Sequence, residues 1–221
     1  MGIDTAKAGP EGGKPDGVAI SLPKPGVGGT MSVTSALLLR RTEREMGSKR
    51  LSRQMLSNLL WAACGVNREL GPFGAAGITA ASASNSQEIE VYAALDSGCY
   101  LYDPGKHRLL LVHAGDVRSM AIGKGQSGMG AEAPLRLVYV ANLERFKTAG
   151  FQEPGLDDPE IQKSYYYVDT GLIAGNVYLF AASQGLSAWF HNCDKAGLEE
   201  KLQLGKSRRI LFGQTVGYAR S

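Results

Sequence analysis

Apolar positions along the chain change their spacing several times, and each change marks an element. Leu51, Met55, Leu56, Leu59 and Leu60 fall on one face of a helix, with Ser52 as a plausible cap. Ahead of it, Ala36-Leu37-Leu38-Leu39 reads as a shorter helix that Ser32 or Thr34 could cap. Ile89–Leu95 and Pro134–Ala141 are apolar runs of strand length. Tyr100–Tyr102 and Arg108–Val112 flank Asp103-Pro104-Gly105-Lys106, a turn sequence that predicts a hairpin. From about Lys163 to Gln184, Val168, Leu172, Ile173, Val177, Leu179 and Phe180 surround the segment on all sides, interrupted by Gly171, Ala174, Gly175, Ala181 and Ala182. A helix apolar all round is buried, and small residues at that density let a second backbone approach. It reads as a central helix that contacts a second subunit. Ser187–Phe190 and Ile210–Tyr218 close the sheet. Hairpins and isolated helices in place of regular βαβ units predict an α+β fold, a mostly antiparallel sheet flanked by helices.

Residues 1–30 are rich in Gly, Pro and Lys and read as an extended arm; residues 31–221 read as one domain. The 221 residues are 43% hydrophobic, enough for a sizeable core. The net charge is only +3, and residues 40–53 alone carry +4, so the rest of the chain is slightly acidic. That distribution argues against nucleic acid as a partner. Without a signal sequence or a long apolar stretch, it argues against a membrane too. Cys64, Cys99 and Cys193 stand far apart, which suits a reducing, cytoplasmic setting and gives neither a disulfide framework nor a metal site.

Three stretches invite a chemical reading. Gly123-Lys-Gly125-Gln126-Ser-Gly128 matches a dinucleotide-binding pattern literally, but that pattern needs a strand before it and a helix after it. Here Asp116–Ala121 looks helical and a strand follows, so a glycine-rich loop is the better description. His191-Asn192-Cys193-Asp194 could hold a thiol–imidazole hydrolase pair; the plainer reading is a loop between strand and helix with a buried cysteine. The cluster Arg40-Arg41-Thr42-Glu43-Arg44 is either a solvated helix end or an anion site, with guanidinium forks and a hydroxyl offered to phosphate oxygens.

Four segments together resemble the nitroreductase superfamily of FMN oxidoreductases. Arg40–Arg44 resembles its RRSxR signature. Ser82-Ala83-Ser84-Asn85-Ser86-Gln87 resembles the segment before its first long strand. Asp169–Leu186 is similar to its central helix, and Val216-Gly217-Tyr218 to its closing strand. Ser21-Leu-Pro-Lys-Pro25, Leu59–Gly65 and Tyr100–Pro104 are more similar to the SagB-type branch, which contains azoline dehydrogenases of peptide maturation. The chain departs from the pattern at Ala81 and Glu88, where the family has proline, and at Asn192-Cys193, where it has an acidic residue and glycine. It also lacks the Lys-Tyr pair of azoline dehydrogenases.

The resemblance implies FMN held at a homodimer interface, each site drawn from both chains. Arg40, Arg41 and Thr42 would hold the phosphate and ribityl hydroxyls, and Arg44 the pyrimidine edge. Ser82, Ala83, Ser84, Asn85 and Ser86 would approach from the other subunit. Asn192 and Cys193 would present backbone amides to flavin N5, Gln126 a side-chain amide, and Arg220 a further contact to phosphate. The implied activity is ping-pong hydride transfer from NADH or NADPH to a nitroaromatic, a quinone or a similar acceptor. No protein acid or base is required, because the flavin carries the reaction. The loop Gly65–Gly77, with Phe73, would shape the substrate face. The alternative is a flavin-binding subunit of a peptide-modification complex, or a flavin-binding protein of low turnover.

Overall fold

A computed structural model of the chain describes residues 18–26, 28, 31–71 and 74–220. Phe73 and most of the N-terminal arm, residues 1–17, 27, 29 and 30, lie outside the described residues. The elements are β1 (Ala19–Ser21), α1 (Val33–Leu39), α2 (Arg53–Cys64), β2 (Val66–Arg68), β3 (Gly77–Ile78), β4 (Ile89–Leu95), β5 (Gly98–Asp103), β6 (Arg108–Ala114), β7 (Leu135–Asn142), α3 (Glu144–Lys147), α4 (Pro159–Ser183), β8 (Ser187–His191), α5 (Lys195–Leu202) and β9 (Arg208–Gly217). Seven strands form one sheet in the order β1-β6-β5-β4-β7-β9-β8, with antiparallel pairing throughout. This is the α+β architecture that the hairpins predict.

Successive residues of a strand point to opposite faces, and here both faces are covered. Val91 and Ala93 of β4, with Leu135 and Leu137 of β7, pack under Leu56, Leu59 and Leu60 of α2 and Ile173 and Val177 of α4. Tyr92, Ala94, Val138 and Val140 point the other way, to Leu198 and Leu202 of α5. The central strands therefore read as apolar runs, broken in β4 only by Glu90 and in β7 by Arg136 before its final Asn142, rather than as alternations.

Both helix caps behave as expected: Ser32 Oγ accepts from Ser35 N and Ser52 Oγ from Met55 N, each at 3.1 Å. Several details depart from the sequence pattern. Part of the N-terminal arm is extended, but it joins the sheet as edge strand β1 beside β6. α4 begins at Pro159, capped by the Asp158 carboxylate, a turn earlier than its apolar run suggests. α4 is not buried all round, since Val168 and Leu172 are exposed, as are Leu37, Leu38 and Leu39 of α1. Asp116–Ala121 is a run of turns rather than a helix. The Asp116 carboxylate accepts the Arg118 backbone N–H at 2.9 Å and binds its guanidinium, a local arrangement that competes with helical hydrogen bonding.

Candidate functional site

The Arg40–Arg44 segment leaves α1 and runs along the start of β8, where Glu43 N–H donates to Ala188 O at 3.0 Å. Aromatic rings hold its cations. The Arg40 guanidinium lies 5.6 Å from the Tyr178 ring centroid and the Arg44 guanidinium 5.4 Å from that of Trp189. Arg41 pairs with Glu43. Among the described residues, no carboxylate pairs with Arg40 or Arg44, so both keep their donors free for an anion. The Tyr178 hydroxyl does two tasks: it hydrogen-bonds Thr42 Oγ1 at 3.2 Å and accepts the Phe190 N–H at 2.8 Å. Arg40 and Arg41 line a cleft of about 380 Å³ between the end of α1, the C-terminal half of α4 and Ala219. A larger cavity, about 730 Å³, opens beside β1 and α2 and is lined by none of the candidate cofactor-binding residues.

The remaining residues of this face are linked through His191. Its ring packs against that of Trp189, with centroids 4.6 Å apart and the planes tilted by 57°. Its Nδ1 lies 2.8 Å from the Asn192 carbonyl, which can only accept, so Nδ1 carries the proton and Nε2 accepts from Thr215 Oγ1 at 2.7 Å. Burial pulls its pKa down to about 4, so the ring stays neutral. Gly213 admits the ring: a methyl there would collide with the Ala121 carbonyl and lie 2.8 Å from His191 Cε1. Gln126 and Asn192 meet around Gly123, where a methyl would come within 3.4 Å of Gln126 Oε1 and 3.7 Å of Asn192 O. Arg220 adjoins the same segment: Ala219 bridges Met46, and the Arg220 guanidinium reaches Glu132 at 3.8 Å. Arg40, Arg41, Thr42, Arg44, Gln126, Asn192, Cys193 and Arg220 thus share one region.

Ser82–Gln87 sits elsewhere. Ser84, Asn85 and Gln87 all adopt positive φ, at 51°, 53° and 49°, a costly region for non-glycine residues. Internal bonds hold the loop: Gln87 N donates to Ser82 Oγ at 3.0 Å, Ser86 Oγ to Glu88 Oε2 at 2.6 Å, and Ala83 N to Asp169 Oδ2 at 2.9 Å. Ser84 Oγ and Asn85 Nδ2 are buried without a partner. Asp169 and Tyr178 are nine residues apart on α4, about 13 Å of helical rise. The loop and the arginine segment of one chain therefore approach α4 at different levels.

The family model described as the nitroreductase family matches residues 37–218, most of the chain. This chain belongs to the nitroreductase family. It is accordingly a flavin-dependent oxidoreductase by family. A protein of Methanocaldococcus jannaschii assigned as a nitroreductase is 31% identical over 163 residues, 71% of this chain and 76% of that protein. Among solved structures, one from Ralstonia eutropha JMP134, likewise assigned as a nitroreductase, is 36% identical with TM-score 0.78, covering 92% of this chain and 90% of that one. The Escherichia coli microcin synthetase McbBCD complex with truncated pro-MccB17 is 18% identical with TM-score 0.67, covering 90% and 78%. The NADPH:FMN oxidoreductase of Vibrio harveyi complexed with NAD+ is 18% identical with TM-score 0.56, covering 86% and 69%. The last two are similar in fold.

Set against this family, the hydrolase reading of His191 and Cys193 is overturned. Both imidazole nitrogens are taken by Asn192 and Thr215, and burial pushes the Cys193 thiol up to about 11, so no thiolate forms near neutral pH. Cys193 instead packs with Leu198 and Val117, and its N–H donates to Asn192 Oδ1 at 3.0 Å. The plainer reading, a loop between β8 and α5 with a buried cysteine, holds. Around Gly123, no strand leads in and only a short 3-10 turn, Lys124–Gln126, follows, as a glycine-rich loop should. Tyr178 is a residue of this nitroreductase that pattern reading misses. It sits inside a helix among apolar neighbours, and only its hydroxyl, placed between Thr42 and Phe190, shows its part.

Proposed function

We propose that this nitroreductase binds FMN between two copies of the chain and uses it for hydride transfer from NADH or NADPH to a nitroaromatic, a quinone or a related acceptor. The observation that carries the reading is the pair of guanidiniums without carboxylate partners, Arg40 and Arg44, each held on an aromatic ring within one five-residue segment, Arg40 lining the cleft beside Tyr178. Such donors suit an anionic phosphate and an electron-rich ring edge.

In this reading Arg40, Arg41 and Thr42 bind the phosphate and ribityl hydroxyls, with Arg220 nearby. Arg44 lies at the pyrimidine edge, where its fixed charge favours the reduced cofactor. Gln126 and the Asn192–Cys193 backbone face the ring. When bound, the isoalloxazine supplies the two-electron chemistry. Neutral His191 moves no proton; it fixes the Asn192 carbonyl and the Trp189 ring on which Arg44 rests. The second copy contributes Ser82–Ser86, which one chain holds a level away from its own arginines. The exposed apolar residues of α1 and α4, Leu38 and Val168 among them, offer the surface for that second copy.

The test is optical. Purified protein incubated with FMN should retain the cofactor through desalting, and NADH or NADPH should bleach its visible band under anaerobic conditions; air or a quinone should restore it. Protein that retains no FMN, or retained FMN that neither nucleotide bleaches, contradicts the proposal. The fold shared with the microcin synthetase complex favours a second reading, a flavin subunit acting on a peptide within an assembly. Tight FMN with turnover only when a peptide-binding partner is added would select it.

A further inference from the structure

We propose that Glu88 and Asp169 share one proton and act together as a positioning pair that locks the Ser82–Gln87 loop in its shape. Glu88 stands at the start of β4 with no exposed surface, and Asp169 is nearly as buried on α4. The two carboxyls bond to one turn of the loop, Glu88 to Ser86 Oγ and Asp169 to Ala83 N, residues joined to each other by the Ser86 N–H to Ala83 O bond at 2.9 Å, and they interact directly with each other. Among the described residues no cation pairs with either one. The nearest guanidinium of α3, Arg145, donates instead to the Gln87 carbonyl at 3.0 Å, and Glu153 is engaged with Tyr165 beyond Asp169. Glu90, two residues along the same strand, shows the contrast: Arg208 binds both its oxygens, at 2.8 and 3.0 Å.

One proton resolves the arrangement. Glu88 Oε2 accepts from Ser86 Oγ and Asp169 Oδ2 accepts from Ala83 N, whereas Glu88 Oε1 is buried with no donor in reach. A proton on Oε1 turns that orphan into a donor toward Asp169, which stays ionised and keeps the Ala83 N–H. Burial first, then the neighbouring Asp169 charge, pushes Glu88 up to about 7, so the proton is present in mildly acidic solution. The pair bonds the loop at Ala83 and Ser86, on either side of the positive-φ residues Ser84 and Asn85. Such a backbone persists only where its surroundings over-determine it. Loss of the proton leaves two adjacent buried anions, and the loop is released as Asp169 withdraws from Ala83. The effect on FMN rests on the function proposed above; the clamp itself does not.

Amide exchange of Ala83, followed by NMR on the full chain from pH 6 to 9, tests the clamp without flavin. After correction for intrinsic exchange, wild-type protection should fall about tenfold per pH unit above 7. In Glu88→Gln it should stay flat, because the amide N–H replaces the shared proton. The same fall in Glu88→Gln, or a flat wild-type profile, overturns the pair. If Glu88→Gln does not fold, the infrared carbonyl band of a buried protonated carboxyl in the wild type decides: present at pH 6 and lost through about 7 supports the pair, absent at pH 6 refutes it. FMN titrations run alongside should weaken in parallel in wild type only. A chain that binds no FMN at any pH refutes the flavin reading while the Ala83 profile still decides the clamp.

Discussion

The arginine segment and the Ser82–Gln87 loop hold their shapes by opposite means. Arg40 and Arg44 rest on the rings of Tyr178 and Trp189; Thr42 and the Phe190 N–H hold the Tyr178 hydroxyl, and a neutral histidine whose nitrogens are both bonded braces the Trp189 ring. The loop is held by short polar bonds to two buried carboxyls, with the Arg145 guanidinium on its Gln87 carbonyl, and carries three left-handed residues. One region exposes positive charge on a rigid apolar support. The other stores backbone strain over buried negative charge. Their pH responses should therefore oppose each other, His191 failing toward acid and Glu88 toward base, with both regions ordered together near pH 6.5–7.

The largest expected effect breaks the first region alone. Gly213→Ala drives a methyl into the Ala121 carbonyl and the His191 ring, and should cost about 3 kcal/mol in chemical denaturation, as overpacking of a close contact does. The loop should stay intact, with Ala83 exchange unchanged. Next comes acid. The unfolded chain takes up the imidazole proton near 6.5 and the folded chain only near 4, so stability is complete above 6.5 and lost as pH falls toward 4. The loss should approach 3 kcal/mol at about 1.4 kcal/mol per unit. Denaturation of wild type and His191→Gln at pH 7 and 4.5 isolates it, since the variant lacks this term.

Arg40→Ala removes one charged donor and should weaken FMN binding by about 2 kcal/mol, some thirtyfold, measured by fluorescence titration. Fold stability should hardly change. The smallest effects come from single hydrogen bonds, one per region. Tyr178→Phe frees Thr42 and strands the Phe190 N–H, while Ser82→Ala strands the Gln87 N–H, each at about 1 kcal/mol of stability. If the regions differ as described, Tyr178→Phe should leave Ala83 exchange untouched and Ser82→Ala should accelerate it.

Local signals were legible in the sequence. Ser32 and Ser52 cap the helices they precede, Asp103–Lys106 turns the hairpin, and the apolar runs of β4 and β7 lie at the sheet centre, because each depends on neighbours a few residues away. Asp116–Ala121 failed for a local reason too: a side chain capturing the Arg118 backbone defeats helical spacing. Long-range juxtapositions were illegible. Glu88 and Asp169 are 81 positions apart, and nothing near either announces the other. Tyr178 carries no signal of its own among the apolar residues of α4, and β1 looked like arm, because a short edge strand is defined by its partner β6 rather than by its own residues. The grouping of Arg44 with Asn192 and Gln126 was expected from resemblance alone; its physical links, the Trp189–His191 ring contact and the close approach at Gly123, appear only in three dimensions.

The central claim is that one flavin site needs the arginines of one copy and the Ser82–Ser86 loop of the other. Mixed dimers test it. One tagged chain carries Arg40→Ala with Arg41→Ala, a second carries Ser84→Trp, and dimers holding both tags are isolated. Neither variant alone should retain FMN, whereas the mixed dimer, with one site bearing both lesions and one bearing none, should retain one FMN per dimer and bleach with NADH or NADPH. A mixed dimer that retains none would show that each chain builds its site from its own residues and contradict the account.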